Sequence, residues 1–166
     1  MPFTPIHMGP GILIKSVLQG SFSLMVFGWA QIVMDIQPLF VMITGEGHLH
    51  GFTHTYLGAL IIAAIAALSG KYLSEIGLFL LKLPLSQRKV KWSIAIISAL
   101  IGSASHVWLD SIMHSDLEPF YPWAKDNPML GWLSISALHQ WCLYSGLLGS
   151  VIYFAVQWRL KNSRHE

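Results

Sequence analysis

Four stretches of this chain stay apolar for about the ~20 residues that a helix needs to cross a bilayer. They are residues 22–43, 52–69, 92–114 and 133–158. After Ser69-Gly70 the pattern changes. Lys71, Ser74, Glu75 and Lys82 alternate with Tyr72, Leu73, Ile76, Phe79 and Leu80. That helical amphipathicity predicts a helix lying on the membrane surface. Ahead of the first span, three prolines and a glycine make residues 1–10 an extended, rigid arm. Residues 11–19 predict a helix too short to span, ended by the turn signal Gly20-Ser21. The predicted class is therefore an all-α, polytopic membrane helix bundle. It has about four spanning helices, a short N-terminal helix and a surface amphipathic helix, and residues 1–166 form one domain.

Composition supports the membrane reading. Hydrophobic residues make up 54% and charged residues 11%, against roughly 25% charged in soluble domains. The net charge of +2 is too small to point to nucleic acid, and no nucleic-acid-binding motif is present. The single cysteine, Cys142, excludes an intramolecular disulfide and a cysteine zinc cage. The first ten residues lack the basic segment of a secretory signal peptide. Lys82, Arg88, Lys89 and Lys91, with Arg159, Lys161 and Arg164 in the tail, place the 82–91 loop and the tail in the cytoplasm. The 44–51 and 115–131 loops then face outward. The second of these carries Phe120, Tyr121 and Trp123, with Trp132 just beyond, which suits an interfacial aromatic belt.

The chemistry lies in the polar residues that interrupt the apolar stretches. His106, Asp110 and His114 stand at i, i+4 and i+8. Residues four apart share a helix face, so this face presents imidazole, carboxylate and imidazole, a metal-ligand set. Asp35 sits within the first span, beside Pro38. His50 and His54 form an H-x-x-x-H pair at the mouth of the second, and His139 lies near the start of the fourth. Counting from the cytoplasmic ends at ~1.5 Å per residue, Asp35, His106 and His54 lie about 20, 22 and 24 Å up. Asp110 and His139 come to about 28 Å by the same rise, within a hydrocarbon core ~30 Å thick. The N-terminal arm returns His7 toward the same outer layer.

The acids there have few basic partners. No Lys or Arg falls between Lys15 and Lys71, and only Lys125 between Lys91 and Arg159. Buried carboxylates need compensation, which leaves histidines and a divalent metal. The metal candidates are thus His7, Asp35, His50, His54, His106, Asp110, His114 and His139. His139 enters as a ligand or as a residue that orients one. Asp110, His114, Asp116 and Glu118 are the candidates for proton transfer or substrate contact. The bland alternatives are a neutral His106 bonded to a protonated Asp110, and a hydrogen-bonded Asp35 beside a proline kink.

Four segments carry a family resemblance: residues 1–11, Asp35-Ile36-Gln37-Pro38, His50-Gly51-Phe52-Thr53-His54-Thr55, and Ser105-His106 through Asp116 to Pro119-Phe120. In these the chain resembles bacterial membrane-bound metal-dependent hydrolases, the LexA-binding, inner-membrane-associated hydrolases and their relatives. Gly51 departs from the pattern, in which an arginine follows the first histidine, so no phosphate contact carries over there. The ligand order is also similar to that of the zinc-dependent phospholipase C and single-strand nuclease group. That likeness implies one ion held by Asp35, His54, His106 and Asp110. It implies a second held by Asp110 and His7, with the N-terminal amine a further ligand in those enzymes. Together the resemblances imply a hydrolase of the bacterial inner membrane with one or two divalent ions, zinc by ligand type. Its site would lie near the periplasmic face, and its substrate would be a phosphoester or lipid-like amphiphile. A protein partner or a second copy of the chain stays open. Two other classes stay open as well, a di-iron lipid hydroxylase or desaturase and a metal or proton transporter.

Overall fold

The computed structural model describes residues 5–163, and every regular element among them is helical. The Met1-Pro2 amine and Arg164 lie outside the described residues. The arm ends in a 3-10 turn, Pro5–His7, that runs into α1, Met8–Leu18. Pro10 fits there because the first turn of a helix has no use for its missing N–H. Lys15 Nζ closes the far end, donating to Gln19 O at 2.6 Å and Phe22 O at 2.7 Å.

The next helix breaks where the sequence places Asp35 and Pro38. α2, Leu24–Met34, gives way at Asp35 to α3, Ile36–Thr44. Ser23 Oγ caps α2 by accepting from Val26 N. Gly45, at φ 75°, ends α3 in the left-handed conformation that glycine adopts freely. Then come α4 (Tyr56–Leu80), the one-turn α5 (Leu85–Arg88), α6 (Trp92–Met113) and α7 (Ile135–Asn162).

Three expectations change. The arm is not extended up to residue 10: Pro5–His7 is a 3-10 turn, and Met8, Gly9 and Pro10 already belong to α1. The surface amphipathic helix is not a separate element: α4 runs unbroken from Tyr56 to Leu80. Its charges are absorbed locally. Lys71 Nζ bonds Glu75 Oε1 at 2.5 Å, and Glu75 Oε1 also accepts from Val90 N at 3.0 Å. The span count also falls. Leu24–Thr44, Tyr56–Leu80 and Trp92–Met113 are long and apolar enough to cross a membrane. α7 has the length, at 28 residues, but His139, Gln140, Ser145, Ser150, Gln157 and Arg159 dilute its apolar character.

Small residues let these helices approach closely, as membrane bundles require. Ala30 on α2, Ala63, Ala66 and Ala67 on α4, and Ala95 and Ala99 on α6 form one buried cluster. α1 packs parallel to α7 at backbone distance. A Cβ on Gly9 would stand 1.8 Å from Cys142 O, and one on Gly149 2.6 Å from Leu13 Cα. Gln157 Nε2 donates to Gln19 Oε1 at 2.9 Å at the other end of the pair. This parallel seam delivers His7 to the end of the bundle where the loops fold inward.

The seam predicts a stability difference between two glycines. Gly9→Ala is expected to destabilise the protein by about 1–3 kcal/mol through overpacking. Gly20→Ala, with nothing within 4 Å of the added carbon, should be near neutral. Thermal unfolding in detergent reads both.

Candidate metal centre

Four segments meet at Asp110. α6 carries His106 and Asp110 one turn apart on its inward face, and the end of α2 brings Asp35. A 3-10 turn, Phe52–His54, brings His54, and the Pro5–His7 turn brings His7. All five side chains are buried. His106 Nε2 lies 3.3 Å from Asp35 Oδ1 and 3.2 Å from Asp110 Oδ2. His54 Nε2 is 3.7 Å from Asp110 Oδ2, and His7 Nε2 is 3.8 Å from Asp110 Oδ1.

A second layer sits toward the loops. The His50 and His114 rings stack with centroids 4.1 Å apart, and His50 Nδ1 contacts the two Asp116 oxygens at 3.0 and 2.9 Å. Three sets of side chains could each hold an ion: His7, His106 and Asp110; Asp35, His54 and His106; and His50, Asp110 and His114. These sets bring together seven of the eight metal candidates. His139 is in none of them; it is half-buried and near enough to His7 to affect its protonation. Asp116 is tied to His50, so it orients that imidazole. Glu118 lines a polar cavity beside it.

The hydrogen bonds around the cluster fix which nitrogens point inward. Gln31 Nε2 donates to Gly102 O at 2.9 Å, so Gln31 presents its oxygen to His106 Nδ1, 2.6 Å away. His106 Nδ1 therefore carries a proton, and its Nε2 faces two carboxylates. Gln37 Oε1 accepts from Thr53 N at 3.2 Å and from Thr53 Oγ1 at 2.5 Å. With its proton so used, the Thr53 oxygen accepts from His54 Nδ1 at 3.0 Å. His54 thus aims a bare Nε2 at Asp110. This is the pattern by which outer groups set the tautomer of metal-binding histidines.

Gln31, Gln37 and Thr53 were not anticipated as site residues. Gln31 carried a usable signal, standing one turn before Asp35 on an apolar helix. Gly51 is explained by the same network. A Cβ there would lie 2.0 Å from Gln37 Nε2, so glycine leaves the space that Gln37 occupies.

The donor set fits a cation. His7 Nδ1 and Nε2, His54 Nε2 and His106 Nε2 are buried and without hydrogen-bond partners among the described residues. Each buried unsatisfied group costs about 1–3 kcal/mol. One proton on His106 would answer one of these atoms; a divalent ion answers several together. Burial pushes His54 down to about 3 and His7 down to about 4, which keeps both imidazoles in the neutral form that binds metal. Burial also pushes His114 down, reinforced by His50. Burial raises Asp116, but the hydrogen bond and charge of His50, with a backbone hydrogen bond and His114, together hold the carboxyl below its ordinary range.

Two cavities adjoin the cluster. One, of about 360 Å³, is polar and lined by His48, His50, Asp116, Glu118, Tyr121 and Lys125 among others. The other, of about 690 Å³, is mostly apolar and reaches Asp35, Gln31 and His106.

Helices of membrane-crossing length around a buried His/Asp cluster with unpartnered nitrogens define a membrane protein with a candidate metal site. Within that class, the chain belongs to the YdjM inner membrane protein family, whose model matches residues 12–163. No curated protein and no solved structure matches the chain.

Gln31 offers a test of the tautomer argument. Gln31→Ala is expected to weaken divalent-metal affinity by roughly 10–100-fold, the usual cost of losing a group that orients a ligand. Competition against a chelator of known affinity would measure it.

Proposed function

We propose that this protein is a metal-dependent hydrolase of the inner membrane that cleaves a phosphoester in an amphiphilic substrate. One observation carries the reading: the unpartnered Nε2 atoms of His54, His106 and His7 converge on one buried carboxylate, Asp110. The fit is to zinc or a similar ion, because the donors are neutral imidazoles and carboxylates.

Asp35, His54 and His106 would hold an inner ion. His50 and His114 would hold an outer one. Asp110, which lies in the sets with His7 and His106 and with His50 and His114, would be the carboxylate shared between the two layers. His106 cannot bridge them, because its Nδ1 is committed to Gln31. Ions of this kind lower the pKa of a bound water to about 7 and draw charge from a phosphoryl oxygen.

The chain's own residues supply the rest. Asp116 orients His50. Lys125, on the polar cavity wall, draws a phosphate group toward the cluster. Glu118, on the same wall, takes a proton from the attacking water and returns it to the departing alkoxide. The new bond is water oxygen to phosphorus, and the bond lost is phosphorus to ester oxygen. The basic residues of the 82–91 segment favour a site in the outer half of the membrane, toward the periplasm.

Metal analysis and turnover on detergent-purified protein test this together. Asp110→Ala and His106→Ala are expected to lose both bound metal and hydrolysis of bis(p-nitrophenyl) phosphate. Unchanged metal in Asp110→Ala would overturn the metal centre, and metal-loaded wild type with no turnover on soluble or lipid phosphoesters would overturn the hydrolase. Glu118→Gln is expected to keep its metal and lose about 10²–10⁴ in kcat, the range of a general acid–base group.

A further inference from the structure

The larger cavity has an unusual build for a protein interior. It runs beside α1, α2 and α4, and Met8, Leu24, Met25, Trp29, Ile32 and Leu73 make most of its wall. At one end it meets Asp35, Gln31 and His106. Leu24 lies eleven residues before Asp35, so the groove follows α2 for about 16 Å at the helical rise. Its flank is open. Met25, Ile32 and Leu73 are 40%, 41% and 44% exposed, and all three stand on helices of membrane-crossing length. In a bilayer that flank faces lipid.

A groove that is apolar along its length and ends on metal-ligating groups asks for one kind of occupant. Its ligand must have a long apolar tail and a polar head that reaches the carboxylate and imidazole. A second helix, about 10 Å across with its side chains, would bring no such head to Asp35. On the far side of the cluster the polar cavity with His50, Glu118 and Lys125 has room for that head.

We propose that this groove holds one alkyl chain of a membrane lipid, which enters sideways from the bilayer and sets its head group at the metal centre. The substrate class is then a lipid phosphoester and not a soluble one. This rests on the hydrolytic reading only for the fate of the head group. Chain binding stands on the groove itself.

Photolabelling separates the two. The full-length protein is placed in phosphatidylethanolamine–phosphatidylglycerol vesicles. A trace of phosphatidylethanolamine with a diazirine at the end of one acyl chain is added. After irradiation, mass spectrometry should find label on Leu24 and Trp29, which are half-buried in the groove wall, as well as on outward-facing Ile61 and Leu147. Gly28→Leu fills the groove at a point where the added carbon meets only the tip of Met8, at 3.1 and 3.2 Å. It should remove the Leu24 and Trp29 label and leave the Ile61 and Leu147 label and the metal content unchanged. Leu73→Trp, at the exposed lip, repeats the block if Gly28→Leu does not fold. Groove label that is absent, or that survives both substitutions, overturns the proposal. Groove label in a protein that hydrolyses no phosphoester keeps the proposal and rejects the hydrolase. Turnover without groove label does the reverse.

Discussion

Asp110 is a carboxylate on an apolar helix with no lysine or arginine paired to it among the described residues, and much of this fold follows from that. Removing a carboxylate from water costs several kcal/mol unless charge and hydrogen bonds replace the water. Here the replacement comes from imidazoles delivered by separate pieces of chain: His106 from the same helix, His54 from the turn before α4, and His7 from the N-terminal arm. Burial keeps His7 and His54 neutral, so the imidazoles do not fully balance Asp110 and the second carboxylate, Asp35, close by. A divalent cation would answer the charge and the unpartnered nitrogens at the same time.

That requirement explains features that look unrelated. Each ligand needs a fixed approach, and the chain obtains it by removing side chains or by adding neutral hydrogen-bonding ones. Gly9 and Gly149 let α1 press against α7, which sets the height of His7. Gly51 clears space for Gln37, which holds Thr53, which holds His54. Gly102 does both: its carbonyl accepts from Gln31, and a Cβ there would come within 2.9 Å of Ala30 on α2. Close helix packing and ligand orientation are here the same device.

How far the sequence could be read follows from how each feature is encoded. His106 and Asp110 were legible because helical spacing alone puts them on one face. Asp35 and His54 were legible because apolar spans have a known rise, so depth can be counted. Gln31 was signalled only by standing one turn before Asp35; Gln37 and Thr53 were not legible, because a neutral polar residue in or near a span carries no charge that demands a partner. Lys71 and Glu75 misled in the other direction. Their charges read as a membrane-surface face, yet each neutralises the other one turn away, and α4 continues. α7 was read as a fourth span from the length of its apolar run, while its small and polar residues serve contact with α1. His139 shares the counted depth, but depth leaves the direction around the helix open, and it falls outside the ligand sets.

The position of the cluster between two unlike cavities bears on why such a site would be built inside a membrane at all. A soluble phosphoester could be handled by a site in water, with no carboxylates to bury. Burial becomes worth its cost when the substrate cannot leave the bilayer. Asp35 and His106 form the end wall of the apolar groove, while His50 belongs to both the polar cavity and the outer ligand set. A molecule that is apolar on one side and phosphorylated on the other would therefore cross the ligand cluster at its own polar boundary. The bond cleaved would be the one at that boundary. On the hydrolytic reading proposed above, the same geometry would leave a fully soluble ester with contacts on the polar side only.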